Sequence, residues 1–259
     1  MKSVRPVHLN EHVQSFLHAI MLFSRLPVGR WLSFSLKAQG FALGYWPLVG
    51  LVLSFLSLFF WFLLMPVFQV PLSVLVLLLS MLLMTGAMHE DGLADYFDGL
   101  GAGSAEEAQR IMKDSHLGVY GVLALFLSMA VKFAALLMAG SHLPVMFMAA
   151  HFFSRISSMS LAISLPYVRA SEDRKLKDIE PSVSGFSLIL NALAVLVFVL
   201  ILPFEVALLL FIILILFRQL MLRQLKQRLG GYTGDCLGAA QQLAECVVYL
   251  VFAACLGVF

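Results

Sequence analysis

Four of the chain's fifteen acids fall within the run His89-Glu90-Asp91-Gly92-Leu93-Ala94-Asp95-Tyr96-Phe97-Asp98-Gly99. On a helix, Asp91, Asp95 and Asp98 stand at i, i+4 and i+7. Their side chains then share one face over two turns, within about 60° of each other. Like charges so placed repel, so the arrangement costs stability unless a cation neutralises it. Hard carboxylate oxygens of this kind suit Mg²⁺ or Mn²⁺. Glu90 is rotated about 100° from Asp91 and meets that face less well. Glycines at 86, 92, 99, 101 and 103 let backbone or a bulky anion approach closely. The same residues also describe solvated acids, one of them a helix cap. Three on one face beside apolar sequence make a functional site the default reading.

Two further polar groups accompany the run. Arg110-Ile111-Met112-Lys113-Asp114 follows it: Asp114 offers another oxygen ligand, and Lys113 with Arg110 offers charge for a phosphate or an anchor at a membrane surface. Gly230-Gly231-Tyr232-Thr233-Gly234-Asp235 precedes the last apolar stretch. Glycines such as Gly231 and the Thr233 hydroxyl at a helix start can present N–H groups to phosphate, while Asp235 has the alternative role of ordinary cap. Beyond it Gln241, Gln242 and Glu245 place polar groups in the first two turns of an apolar segment. Phe23-Ser24-Arg25 recurs as Phe153-Ser154-Arg155. Arg155 lies 11 residues before Pro166, roughly 16 Å along a helix, too deep for easy snorkelling. It is therefore expected to pair with a phosphate or an Asp inside a bundle, and Lys132 invites the same argument.

The elements that position these groups follow from composition. The 259 residues are 61% hydrophobic and 12% charged, with mean hydropathy +0.95; a soluble domain carries roughly 25% charge. Apolar blocks of helix length predict an all-α, polytopic membrane bundle in one domain, residues 1–259, since each crossing takes about 20 apolar residues. Seven spans are predicted, over 41–65, 70–88, 117–139, 143–165, 186–203, 204–217 and 238–259. The fifth and sixth are short or poorly separated, leaving six crossings plus a re-entrant pair open. Pro66, Pro71, Pro144, Pro166 and Pro203 mark the turns, and Pro47 either kinks or delays the first span. Residues 1–40 form an interfacial segment without the pattern of a cleaved signal peptide, and 89–116 an acidic active-site loop. Cys236, Cys246 and Cys255 form no CxxC pair and read as small buried residues.

Orientation follows from Lys and Arg. Lys2, Arg5, Arg25, Arg30 and Lys37, then Arg110 and Lys113, Arg169, Arg174, Lys175 and Lys177, and finally Arg218, Arg223, Lys226 and Arg228 all fall on one set of connections. The opposite set, near 66–70, 140–143 and 203–205, has none. The positive-inside rule places the N-terminus and the long loops in the cytoplasm. Every polar constellation then faces one aqueous side, which suits an enzyme better than a transporter with alternating access. The net charge of +2 is spread over loops, with no massed basic surface for nucleic acid.

Taken together, HEDGLADYFDGLGAG, RIMKDSHLGVYGVLAL, the early FSRLPV and the late LGGYTGDCLGAAQQLAE resemble the cobalamin synthase family, the adenosylcobinamide-GDP ribazoletransferases, in order over nearly the whole chain. The resemblance implies a Mg²⁺-dependent multi-pass transferase of the bacterial inner membrane, with its active site facing the cytoplasm. It would join adenosylcobinamide-GDP to α-ribazole or its 5′-phosphate and release GMP. It also implies Asp91, Asp95 and Asp98 at the metal, with Asp114 and Asp235 nearby. For that reaction His89 or one of the aspartates is a candidate proton acceptor. Glu90, Lys113, Arg155, Arg25, Gly231, Thr233 and Asp235 are candidates for holding substrate. Association with a second copy, or with other enzymes acting on corrinoids, stays open. A CDP-alcohol phosphotransferase is the nearest rival, but Asp95 occupies the place where that family carries arginine, and Asp98 has no partner at 102. A secondary transporter using the acids for ion coupling is a more distant one; on the far side Glu205 is nearly the only acid.

Overall fold

A computed structural model describes residues 10–33, 35–114, 116–168 and 182–258, and they fold as helices. In chain order these are α1 (Glu11–Phe23), α2 (Leu36–Gly40), α3 (Trp46–Leu64), α4 (Val70–Thr85), α5 (Met88–Gly99), α6 (Ala105–Met112), α7 (Val119–Met138), α8 (Leu143–Ser164), α9 (Gly185–Ile201), α10 (Phe204–Leu229) and α11 (Gly234–Ala254). One isolated bridge, Tyr167 to Tyr232, is the only β-type pairing among the described residues. Lys2, Arg5, Arg169, Arg174, Lys175 and Lys177, which entered the orientation argument, lie outside the described residues.

Each apolar window of the sequence carries a helix. Among them, the segment Leu36–Leu64 and helices α7, α10 and α11 are long and apolar enough to cross a membrane. A fifth span results if α4 and α5, bent by 86°, are counted as one. Pro71, Pro144 and Pro203 act as predicted, at the starts of α4 and α8 and at the N-cap of α10. Pro47 lies in the first turn of α3, so it delays that helix and does not kink it. The break in a span falls between α4 and α5, not between α9 and α10. There Gly86 (φ 69°) and Ala87 (φ 57°) are both left-handed, and the Gly86 and Ala87 N–H groups bond back to the Leu82 carbonyl. The stretch predicted as a loop, 89–116, is mostly helical among its described residues. They form α5 and the short α6, because Ser104 caps α6 and α5 buries Leu93, Ala94 and Tyr96 against the bundle.

Helix α11 is the axis of the fold, packed chiefly against α8 and α5 and then α7. Its apolar window is 78% buried, against 28% for α10, whose outer face carries exposed leucine and isoleucine suited to lipid. Small residues permit the close packing: Gly238, Ala239, Ala240 and Ala244 are buried on α11, as expected where helices associate by van der Waals contact in lipid. From Asn10 onward, the described part of the N-terminal segment is a folded cap. The Gln14 side chain bridges the Trp31 carbonyl (3.1 Å) and the Ser33 N–H (3.0 Å), holding α1 over the start of α3.

Candidate active site

The end of the bundle where α4 stops and α7 and α11 begin collects the acids. α5 turns across this end, with Asp91 exposed and Asp95 and Asp98 half-buried. The three do share a face, as the spacing predicts, but they have different surroundings. Asp98 accepts from the Gly118 N–H (2.8 Å) and the Gly121 N–H (2.8 Å), and so ties α5 to the first turn of α7. A side chain at Gly118 or Gly121 would collide with that carboxylate. Both Asp98 oxygens thus already serve a helix start, where anionic acceptors are favoured. Asp91 and Asp95 make no ion pair among the described residues.

The fourth acid comes from another helix. Thr233, not Asp235, caps α11, accepting from the Cys236 N–H (3.3 Å). That leaves Asp235 in the first turn, its backbone packed on Gly92 of α5. A Cβ at Gly92 would stand 2.8 Å from the Asp235 carbonyl oxygen. The consequence is electrostatic. Burial first, then the charges of Asp91, Asp235 and Asp98, push Asp95 up from the usual 3.8 to about 6. Four carboxylates from two helices therefore share one negative field with no basic side chain paired into it. Among the described residues, however, no group of three or more His, Cys, Asp or Glu side chains stands where it could hold a metal ion.

The other candidates separate. Asp114 is exposed and turned onto its own neighbour, accepting from the His116 backbone N–H (3.1 Å) and facing the His116 ring (2.6 Å). Those bonds hold its carboxyl below the usual range and raise His116. Asp114 is not among the charges that act on Asp95. Lys113 is exposed at the end of α6. Gly231 and Tyr232 are engaged by residues 166–168: the Tyr232 N–H donates to the Pro166 carbonyl (3.0 Å), and the Val168 N–H to the Tyr232 carbonyl (2.9 Å). A side chain at Gly231 would strike the Pro166 carbonyl, so the glycine serves this contact rather than an open phosphate cradle. His89 and Glu90 point the other way, into the bundle. His89 completes a stack of Phe23 on Trp46 (4.4 Å) and Trp46 on His89 (5.7 Å).

Behind α5 lies a polar network that single-residue reading did not assemble. Glu245 of α11 pairs with Lys132 of α7 (2.9 Å) and faces His151 of α8 (3.2 Å). Gln241 donates to Glu245 (2.6 Å) and to the Ser154 hydroxyl (3.1 Å). Lys132 also donates to the Gln242 carbonyl oxygen, and Gln242 donates to Glu90 (2.8 Å). Arg155 donates to the His151 carbonyl (2.8 Å) and lies in the field of Glu245. No Asp lies against it among the described residues; it meets its own helix and the charge of a glutamate, and its Nε has no hydrogen-bond partner there. Lys132, Arg155, His151 and Glu245 are each at most 2% exposed, so ligand cannot reach them. Removing one member of such a set costs about 3–5 kcal/mol. The network ties α7, α8 and α11 to the residue adjacent to Asp91. Lys132, Arg155, Gln241, Gln242 and Glu245 are conspicuous as polar residues in apolar sequence. His151, four before Arg155, carries the missing signal of an i, i+4 polar pair.

At the head of α5 the Arg25 N–H donates to the Met84 carbonyl (2.7 Å), bringing the segment after α1 onto the end of α4. Arg25 and Asp91 line one open cavity of about 460 Å³ with Leu22, Ser24, Thr85 and Met88. A second cavity, of about 400 Å³, opens at the other end of α5 between α6 and the end of α10, where Arg228 donates to the Leu100 carbonyl (2.6 Å).

No solved structure matches the chain. The family model described as cobalamin-5-phosphate synthase matches residues 15–253. The chain is 41% identical to the adenosylcobinamide-GDP ribazoletransferase of Shewanella baltica (strain OS185) over 93% of this chain and 94% of the relative. It is 37% identical to that of Vibrio cholerae serotype O1 over 95% of each. With the Shewanella oneidensis enzyme of the same name it shares 39% identity over 93% of this chain and 94% of that one. The acid-bearing α5, the glycine turn and the α11 polar face all lie within the matched region, and the chain belongs to the cobalamin-5-phosphate synthase family.

Proposed function

We propose that this chain joins adenosylcobinamide-GDP to α-ribazole, or to its 5′-phosphate, with release of GMP. The site is Mg²⁺-dependent and lies on the cytoplasmic face of the bacterial inner membrane. The observation that carries the reading is the convergence of Asp91 and Asp95 of α5 with Asp235 of α11, without a basic partner, in a chain of this family. If α3, α4, α7, α8, α9, α10 and α11 are taken as seven crossings, beyond the four or five helices long and apolar enough by themselves, the charge distribution assigns the N-terminus to the cytoplasm. Arg25, Arg110, Lys113 and Arg228 lie at the acid end, while the connections 65–69, 139–142 and 202–203 carry no Lys or Arg.

The donor chemistry fits Mg²⁺. The oxygens are hard, the local charge is in excess, and Mg²⁺ is commonly held by one or two carboxylates plus substrate phosphates instead of a full protein cage. Asp91 and Asp95, with Asp235 beside them, are the residues that would hold it, or Mn²⁺. When bound, the ion would offset charge building on the phosphoryl oxygens. In the reaction the ribazole hydroxyl oxygen bonds to the phosphorus that carries cobinamide, and the bond from that phosphorus to the GMP oxygen breaks. The hydroxyl proton must leave. Within the acid cluster Asp95 has a raised proton affinity in the metal-free chain and is half-buried at the acid end, whereas His89 is sealed behind α5. Asp98 keeps α5 registered on α7.

The test is direct. Purified chain with Mg²⁺ should release GMP from adenosylcobinamide-GDP when α-ribazole is present. Turnover of CDP-diacylglycerol in its place would assign the chain to the CDP-alcohol chemistry.

A further inference from the structure

The cavity at the junction of α1, α4 and α5 holds one cation, Arg25, and one anion, Asp91, that do not pair. Two opposite charges sharing a cavity in the free protein would ordinarily close on each other. Here they stay apart. The Arg25 N–H is fixed on the Met84 carbonyl (2.7 Å), and Phe23, two residues before, is stacked on Trp46. The guanidinium lies against Gly86, where any Cβ would collide with Arg25 Nε. Gly86 also has φ 69°, and Ala87 follows at φ 57°, a conformation that costs a residue with a Cβ roughly 1–2 kcal/mol. Strain retained in a cavity wall points to use of that wall. The Thr85 and Ser24 hydroxyls are spent on the carbonyls of Met81 and Ile20, which leaves Arg25 as the cationic side-chain donor of the cavity among the described residues. Leu22 and Met88 leave apolar surface on its rim, 57% and 43% exposed.

We infer that this cavity is the subsite for the phosphate of the departing nucleotide, with the Arg25 guanidinium as its binding group and Gly86 as the position that lets the guanidinium lie in place. The volume, about 460 Å³, is that of a small-molecule site. A planar guanidinium presents paired N–H donors matched to phosphate oxygens. The inference rests on the transferase reading and adds to it where the leaving group sits.

The experiment measures equilibrium binding of GMP and of guanosine to the full-length chain in nanodiscs, in chelator, so that no divalent ion contributes. Wild type should prefer GMP to guanosine. Arg25→Ala should reduce that preference about 10- to 100-fold, the range of one charge-assisted hydrogen-bonding partner, while guanosine binding stays the same. Arg25→Lys should restore part of it as a point charge. Gly86→Ala, which keeps Arg25 but displaces it, should weaken GMP binding and leave guanosine alone. Equal affinity of wild type for the two ligands, or an unchanged preference in Arg25→Ala, overturns the subsite. Neither result touches the transferase reading, whose own test is GMP release.

Discussion

Replacing Gly92 with alanine tests whether the two acid-bearing helices must touch. The added Cβ would meet the Asp235 carbonyl oxygen at 2.8 Å and its Cα at 3.0 Å, where 3.4 Å is the near limit of ordinary contact. Both neighbours are backbone and cannot swing aside, so the first turn of α11 must retreat by about 0.6 Å (3.4 minus 2.8). Overpacking of this kind costs about 1–3 kcal/mol. Alanine returns up to about 1 kcal/mol through its better helix propensity, which leaves a net loss of roughly 0–3 kcal/mol. The functional effect is larger. Asp235 moves away from Asp91 and Asp95, and a displacement near 1 Å in a reacting constellation costs on the order of 100-fold in rate. GMP release should therefore fall about 10- to 100-fold while the thermal unfolding midpoint changes little. Gly101→Ala, where the added Cβ meets nothing within 4 Å, is the matched control and should be silent. Full turnover by Gly92→Ala would refute the reasoning that α5 and α11 act as one site.

Glu245→Leu strips the shared anion from Lys132 and His151 and should destabilise the chain by about 3–5 kcal/mol, read as loss of folded protein in detergent. Adding Lys132→Met should recover part of that loss. Asp98→Ala removes the acceptor for two N–H groups of α7 and should cost about 1–2 kcal/mol; Asp98→Asn, which keeps one of the two acceptor oxygens and the hydrogen bond it receives, should lose less in the same melt. A pH series on metal-free protein tests the acid cluster. Asp95 holds its proton up to about 6 in the folded chain against 3.8 ordinarily. Its contribution is thus fully present below about pH 4 and is lost as pH rises through 6. The melting temperature should fall across that window, Mg²⁺ should restore it increasingly above pH 6, and Asp95→Asn should flatten both trends.

The apolar helices were legible because each is set by local composition and bounded by proline or glycine. Their packing was not, since the decisive partners are distant in sequence. Gln242 reaches Glu90 and Lys132, and no periodicity in α11 announces which helix its polar face meets. The i, i+4, i+7 spacing of the aspartates correctly put them on one face of α5. It could not show that Asp98 is committed to the Gly118 and Gly121 N–H groups, because that depends on how α7 begins. Asp235 read as a cap from its place before a helix; Thr233 takes that role two residues earlier. Arg155 and Lys132 were recognisable as charges needing compensation, while its source, Glu245, became evident only with α11 at the centre of the bundle.

Most direct is GMP release by Asp95→Asn, assayed beside wild type with adenosylcobinamide-GDP and α-ribazole over a Mg²⁺ titration. The account predicts a correctly inserted, folded variant whose turnover is lost at low Mg²⁺ and is not restored to the wild-type rate at high Mg²⁺. Wild-type turnover by Asp95→Asn at low Mg²⁺ would contradict it.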